Sequence, residues 1–249
     1  MLELNRISAG YGKQTVLDGI SVDFEKGKLT SIIGVNGCGK STLLKAILGI
    51  LSLSNGEIFI DGENLLTISR NEIAKKIAYL SQGKNIPDMT VEQMVLHGRF
   101  PYLSYPRRYS SHDREVAIKA MEAVGIAEFA HKPLYSLSGG MRQNAYIAMA
   151  LAQDTDYILL DEPTTYLDIA HQLELMRILR KLADSGKGIV TVMHNLPIAF
   201  HFSDKLTVMS NGKIIAYGTP SEICESHIVE DIFGVKIKQV QKGKYLYEY

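Results

Sequence analysis

The segment GVNGCGKST, residues 34 to 42, constrains the fold of this chain more than any other feature. It lies between the apolar run LTSII, which ends at Ile33, and a helical pattern that continues through LLKAILG. Gly34, Gly37 and Gly39 let the backbone turn tightly with its amides facing an anion, and the helix that follows presents its positive end to the same anion. A strand, a glycine-rich loop and a helix in this order predict a phosphate-binding loop, or P-loop. The alternative is an ordinary glycine-rich turn before Lys-Ser.

Two side chains in this loop suit a nucleotide that carries Mg²⁺. Lys40 supplies a positive charge for the β and γ phosphates, and Ser41 supplies a hydroxyl to the metal. The remaining polar or small loop residues are assigned to nucleotide contacts: Asn36, Cys38 and Thr42. The loop therefore predicts both a nucleotide and Mg²⁺ as ligands.

Two adjacent carboxylates follow the run YILLDEP, residues 157 to 163. Its apolar residues predict a buried strand, and open α/β sheets bind ligands at the carboxyl end of such strands. There Asp161 is expected to hold Mg²⁺, and Glu162 to orient and deprotonate the attacking water. A strand ending in Asp-Glu is commonly structural, but after a P-loop the catalytic interpretation is favoured.

A second anion-binding pattern is LSGGMRQ, residues 137 to 143, which precedes the helical run NAYIAMALA. Ser138 is expected at the N-cap of that helix, and Gly139 and Gly140 permit a close approach of the backbone to a phosphate. Taken alone, the pattern is more often that of an ordinary loop and helix cap.

Short apolar runs bounded by Gly, Asn and Asp alternate with helical patterns, which predicts an α/β fold with a mixed, mostly parallel sheet. We interpret the chain as one domain with a nucleotide-binding core over 1–81 and 157–235. This core includes an antiparallel β part. A helical subdomain is inserted over about 82–156, and a charged tail follows at 236–249. The predicted elements are two strands up to Phe24, a strand ending at Ile33, a helix over 40–50, a hairpin strand over 56–62, and strands at KIAYLS, DYILLD, GIVTVM, DKLTVM and GKIIAYG.

Composition excludes several classes of protein. The 27 Lys and Arg residues balance the 27 Asp and Glu residues, so the formal net charge is zero. Because no overall positive potential attracts nucleic acid, no nucleic acid partner is expected. No apolar run reaches the roughly 18 to 20 residues of a membrane helix, and the first residues lack a signal peptide pattern. Two distant cysteines, Cys38 and Cys224, are interpreted as free thiols.

With these motifs in this order, the chain resembles the ABC ATPases, whose signature motif is matched by LSGG, and the resemblance extends from about residue 2 to beyond residue 220. It implies a P-loop NTPase core that binds and hydrolyses ATP with Mg²⁺. It also implies roles for four residues that are unremarkable alone. Tyr11 matches the residue that stacks on adenine, Gln82 the Q-loop residue that senses Mg²⁺, Asp168 the D-loop and His194 the switch histidine that contacts the γ-phosphate.

The resemblance also implies partners. In that family two copies meet head to tail, so ATP lies between the P-loop of one chain and Ser138 with Gly140 of the other. Integral membrane permease subunits then hold the ATPase at the cytoplasmic face of the membrane, and a substrate-binding protein acts indirectly. The chain departs from the pattern at Val35, Met141 and Asn195, where Pro or Ser, Gln and Asp respectively are common. None of the three removes a phosphate, metal or base group.

Two segments resemble a narrower group, the ATPases of importers for iron–siderophore, haem and cobalamin. They are LLDEPTTYLDIAHQLELM, residues 159 to 176, where Thr165-Tyr166 stands in place of Ser-Ala, and VLHGRFPY, residues 95 to 102. The lobe between Gln82 and Ser136 is expected to dock the permease through Tyr102, Tyr105, Arg107 and Arg108, or else to be a solvated surface.

Three other functions stay open at this point. A cytosolic ABC ATPase without a permease, such as an iron–sulfur cluster assembly ATPase, is compatible with the length of the chain. A P-loop GTPase or kinase leaves LSGG, Gln82 and His194 unexplained. An inactive regulatory binder conflicts with the presence of Lys40, Glu162 and His194.

Overall fold

A computed structural model describes residues 1–82, 86–165, 167–241 and 243–248. Tyr166, which contributes to the resemblance to chelate importers, lies outside the described residues. The strands are β1 (Leu2–Tyr11), β2 (Gln14–Phe24), β3 (Leu29–Gly34), β4 (Leu53–Ile60), β5 (Glu63–Asn64), β6 (Ile77–Leu80), β7 (Tyr157–Asp161), β8 (Gly188–Val192), β9 (Lys205–Ser210), β10 (Lys213–Gly218), β11 (Lys236–Gln241) and β12 (Lys244–Glu248).

The α-helices and 3₁₀ turns connect these strands. They are α1 (Lys40–Ile47), α2 (Arg70–Lys76), α3 (Val91–Leu96), α4 (Ser111–Ala123), α5 (Gly139–Ala152), α6 (Ile169–Asp184), α7 (Leu196–Phe202), α8 (Pro220–Glu225) and α9 (Ile228–Phe233), with 3₁₀ turns at His97–Tyr102, Ala127–Phe129 and Leu134–Ser136. Within the described residues, no helix is both long and apolar enough to cross a bilayer.

The central sheet has six strands in the order β10-β9-β3-β8-β7-β6. The five strands from β9 to β6 are parallel, and β10 adds an antiparallel edge. Every residue of β3, β7 and β8 is buried, as expected for parallel strands covered on both faces. This sheet confirms the predicted α/β fold class.

The two faces of this sheet belong to two hydrophobic cores. Because successive side chains of a strand point to opposite faces, Ile33 and Leu160 join the core formed with α5, α6 and α7. Their neighbours Ile32 and Leu159 join the core formed with α1 and the four-stranded antiparallel sheet, whose order is β2-β1-β4-β5. The antiparallel sheet therefore packs against α1, the helix that follows the P-loop.

Three elements differ from the prediction. The strand predicted over 56–62 is β4, Leu53–Ile60, because Asp61 and Gly62 adopt positive φ values in the turn that follows it. The first helix ends at Ile47 rather than at residue 50, because Gly49 adopts a φ of 64°, a left-handed conformation that terminates helices. The charged tail forms an antiparallel hairpin, β11–β12, in which Tyr245 and Tyr247 pack edge-on against Phe200 of α7. These ring contacts pack the tail against α7.

Candidate functional site

The predicted site residues gather at one edge of the central sheet. The P-loop follows β3, Glu162 follows β7, His194 follows β8 and Gln82 follows β6, and these four strands are parallel. Their carboxyl ends therefore meet at the same edge, where open α/β sheets bind ligands. A cleft of about 370 Å³ lies there and is lined by Val16, Asn36, Gly37, Gly39, Lys40, Ser41, Thr42, Gln82, Glu162 and His194.

The loop from Gly34 to Gly39 depends on glycine for two reasons. A Cβ at Gly34 would lie 2.4 Å from the carbonyl oxygen of Met209, so a side chain would push β3 away from β9. Gly39 has a φ of 108° and precedes α1 without a side-chain cap. The first amides of α1 are therefore available to an anion, together with the positive end of the helix dipole.

Lys40 is buried within this loop. Its Nζ donates to the carbonyl oxygens of Gly34 at 2.8 Å and Val35 at 3.0 Å. These bonds hold the ammonium group inside the curve of the loop, where it adds a positive charge for a phosphate. The Sγ of Cys38 is buried and lies 4.0 Å from the same Nζ.

The residues expected to hold Mg²⁺ meet across the sheet edge. Ser41 Oγ donates to Asp161 Oδ1 at 3.0 Å, and Tyr79 of β6 donates to Asp161 Oδ2 at 3.4 Å. Burial raises the pKa of Asp161, the Ser41 bond opposes this rise, and the neighbouring Glu162 adds to it. A hydroxyl and a carboxylate are the oxygen ligands that Mg²⁺ takes, so this donor set fits the metal.

Glu162 receives hydrogen bonds from three side chains. Gln82 Nε2 donates to Oε2, Thr165 Oγ1 donates to Oε2 at 3.2 Å, and His194 Nε2 lies 2.5 Å from Oε1. Glu162 also has a φ of 51°, which is rare for a residue with a side chain. The carboxylate is thus held at the mouth of the cleft. The side chain of Gln82, predicted as both a metal ligand and a catalytic residue, contacts Glu162 here.

The LSGG segment lies outside the P-loop cleft, but Gly139 lines a neighbouring pocket together with Gln82, Asp161 and Glu162. Ser138 caps α5 by accepting from the backbone N–H of Met141 at 3.3 Å, and both Ser138 and Gly139 are exposed. Gly140 is buried under the imidazole of His171, because a Cβ there would lie 2.2 Å from His171 Cδ2. Among the described residues, none of LSGG lines the cleft that contains the P-loop.

Tyr11 and Asp168 also lie outside that cleft. Tyr11 is half-exposed at the end of β1, and Val16 of β2 lines the cleft instead. Asp168 is the N-cap of α6, where hydrogen bonds from the backbone N–H and the ring of His171 lower the pKa of its carboxyl group.

Sequence reasoning missed three residues that contact this site. Val16 and Tyr79 come from strands whose position beside the P-loop and Asp161 is decided by the fold. Thr165 is three residues after Glu162, a spacing typical of a turn, and this turn is closed by a 3.2 Å bond from Thr165 N to Glu162 O. Of the three, only Thr165 could have been predicted from its neighbours in the sequence.

Comparisons with known proteins agree with this geometry. A family model described as ABC transporter matches residues 17–165. The petrobactin import ATP-binding protein FpuD of Bacillus anthracis is 41% identical over 234 residues, which cover 93% of this chain and 86% of that protein. The ferric enterobactin transport ATP-binding protein FepC of Escherichia coli K12 is 40% identical, with the same coverage. A solved ATP-binding cassette of an ABC transporter in its ADP conformation superposes with a TM-score of 0.85 at 26% identity and covers 94% of this chain and 98% of that chain.

Proposed function

Because the chain belongs to the ABC transporter family of ATP-binding subunits and is therefore an ATPase, we propose that it energises an importer of an iron–siderophore or a related metal chelate such as haem or cobalamin. The cluster of donors around Glu162, at the mouth of the P-loop cleft, carries the ATPase part of this proposal. The two import proteins that are about 40% identical over 93% of the chain support the cargo, and they favour an importer over a cluster-assembly ATPase.

The residues of the cleft have different roles in ATP hydrolysis. The P-loop amides and Lys40 would bind the phosphates of ATP, and Ser41 and Asp161, with Gln82, would hold Mg²⁺. When bound, Mg²⁺ supplies positive charge that offsets the charge developing on the phosphate oxygens. Glu162 accepts a proton from the water whose oxygen attacks the γ-phosphorus, so the β–γ bond breaks and ADP and phosphate leave. His194 contacts the γ-phosphate, and Tyr11 stacks on the adenine.

Two copies complete each site in this proposal. In a single chain no described residue of LSGG lines the P-loop cleft, which supports a head-to-tail arrangement. Ser138, Gly139 and Gly140 of one copy then cover the ATP bound to the P-loop of the other, and Asp168 lies at the same interface. Two identical chains related by a two-fold axis form two equivalent sites.

The permease contacts the lobe between Gln82 and Ser136 and holds the ATPase at the cytoplasmic face of the membrane. Tyr105 is 97% exposed, and Arg107 and Arg108 beside it are exposed, which supports them as contact residues. Tyr102 is less available, because its hydroxyl donates to Gln153 O at 3.0 Å and its ring stacks on Arg99.

The importer role is tested in two steps. The chain is purified in detergent from its native membranes, and we expect a polytopic membrane protein to accompany it in stoichiometric amount. Uptake of ferric siderophore, haem and cobalamin is then measured in cells with and without Lys40→Ala. Loss of uptake of one chelate supports the proposal, whereas exclusively soluble partners and unchanged uptake of all three contradict it.

A further inference from the structure

Asn195, which stands directly after His194, uses both atoms of its side-chain amide. Its Oδ1 accepts the backbone N–H of Ile198 at 3.2 Å and so caps α7. Its Nδ2 donates to Gln172 Oε1 of α6 at 3.3 Å. Asn195, one of the three positions at which the chain departs from the family pattern, therefore links α6 and α7.

Gln172 continues this connection to the loop before α6. Its Nε2 donates to the carbonyl oxygen of Leu167 at 2.9 Å, and that of Thr164 lies 3.4 Å away. Because a backbone carbonyl only accepts, the nitrogen of Gln172 must face the loop, and its oxygen must face residue 195. Residue 195 must then donate. Asn can cap α7 and donate at the same time, whereas an ionised Asp can only accept.

Both ends of this connection reach Glu162. On one side, His194 lies 2.5 Å from Oε1. On the other side, Leu167 N donates to Thr164 O at 3.2 Å, and the adjacent Thr165 donates to Oε2 at 3.2 Å. The hydrogen bonds and the short stretches of backbone between them form a closed circuit that includes the carboxylate of Glu162.

We propose that Asn195 and Gln172 are paired positioning residues for ATP hydrolysis. The bond between them fixes the loop that carries His194 relative to Thr164, Thr165 and Leu167, so that the donors to Glu162 keep its carboxylate oriented toward the attacking water. The inference rests on the proposed role of Glu162. Neither residue lines the P-loop cleft, so nucleotide binding is independent of the pair.

The test measures kcat and KM for ATP with the full-length chain carrying Asn195→Asp, Gln172→Ala or both. The carboxylate of N195D still caps α7 but cannot donate to Gln172. Since one neutral hydrogen bond is lost, we expect kcat to fall by about fivefold, while KM stays within about twofold. Because both residues act through one chain of bonds, the double variant should be no slower than the slower single variant.

Asn64→Asp is a matched control. Asn64 Oδ1 also accepts a backbone N–H, from Leu66 at 2.9 Å, and its Nδ2 also donates to a side chain, Glu57, at 3.2 Å. It lies on β5 of the antiparallel sheet, outside the site, so kcat of N64D should match the original chain. Melting temperature and nucleotide affinity establish that each variant is folded. If N195D does not fold, Asn195→Ser, which caps α7 but is too short to reach Gln172, replaces it.

The outcomes separate the pair from the proposed function. An unchanged kcat in N195D, or single effects that multiply in the double variant, overturns the positioning role. If Glu162→Gln itself retains full turnover, the proposed role of Glu162 as the base is contradicted. The positioning role of Asn195 and Gln172 is then contradicted as well, because it depends on that base. A nearly inactive E162Q together with a normal N195D contradicts the pair alone.

Discussion

At the scale of single residues, Glu162 combines backbone strain with a full set of side-chain contacts. A non-glycine residue in the left-handed region costs of order 1 to 3 kcal/mol, and such strain persists only where the surroundings hold it. Here the turn to Thr165 and the donors Gln82 and His194 hold both backbone and carboxylate. The group proposed as the base is therefore oriented before the nucleotide arrives.

We expect Glu162→Gln to lower kcat by about 10² to 10⁴, because a general base typically contributes that much to the rate. The amide cannot accept the proton of water, but it leaves the P-loop intact, so the affinity for ATP should change little. Steady-state ATPase assays and fluorescent nucleotide titration measure the two quantities. Glu174→Gln, on the exposed side of α6, serves as the control and should behave like the original chain. Normal turnover in E162Q would remove Glu162 from the base role.

At the scale of elements, a buried ion pair joins α4 to the 3₁₀ turn His97–Tyr102. Arg99, in a 3₁₀ turn, donates to Asp113 Oδ1 of α4 at 2.9 Å and to Ala152 O at the end of α5 at 2.9 Å. Burial alone would raise the pKa of Asp113, but hydrogen bonds from Ser110 and Arg99 outweigh it and lower the pKa to about 2. Both charged groups are therefore paired and hydrogen-bonded, which is the condition for burying them.

We expect Asp113→Asn to lower the free energy of unfolding by about 2 to 4 kcal/mol, because Arg99 is left buried without its counter-charge. The depressed pKa means that this contribution is present above the ordinary pKa of Asp and is lost as the pH falls toward about 2. Urea denaturation from pH 6 to pH 2 measures the free energy of unfolding of the original chain and of D113N. The difference between these two free energies should shrink below about pH 4. The pair Arg180–Asp184, whose carboxylate is exposed, is the control, and Asp184→Asn should cost under about 1 kcal/mol. If the difference in free energy of unfolding between the original chain and D113N grows on acidification, the stabilising role of the Arg99–Asp113 ion pair is contradicted.

At the scale of the whole molecule, the proposed head-to-tail arrangement predicts that two chains make each site, because no described residue of LSGG lines the P-loop cleft. Gly139 is exposed, and a Cβ there meets nothing within 4 Å, so a side chain fits the isolated chain. An Asp at this first position of α5 also suits the helix dipole. It would, however, place a negative charge where the partner's ATP is proposed to lie.

Mixing two inactive variants tests this arrangement. Lys40→Ala removes the phosphate contact of one surface, and Gly139→Asp blocks the other, so each variant alone should be inactive. In an equimolar mixture about half of the dimers are mixed, and each contains one intact site, so ATPase activity should return to about a quarter of the original. K40A mixed with the double variant K40A/G139D contains no intact site and should stay inactive. Failure of the first mixture to recover, or full activity of G139D alone, would contradict a composite site.

The sequence by itself determined the features that depend on neighbouring residues. The spacing of the glycines before Lys40, the buried run that ends in Asp161-Glu162 and the Ser138 cap each follow from local backbone geometry, and the structure has a loop, a strand and a helix cap at these places. The alternation of apolar runs and helical patterns likewise predicted the parallel sheet, since each strand and helix is specified by its own residues.

Only the tertiary structure decided which distant residues meet. Tyr79 reaches Asp161 because β6 lies beside β7, although 82 positions separate the two residues, and no local pattern sets the order of strands. The bond between Asn195 and Gln172 likewise depends on how α6 and α7 pack. The phosphate loop could therefore be found from the sequence, whereas the contacts that orient Glu162 could not, because those contacts depend on the order of strands and the packing of helices.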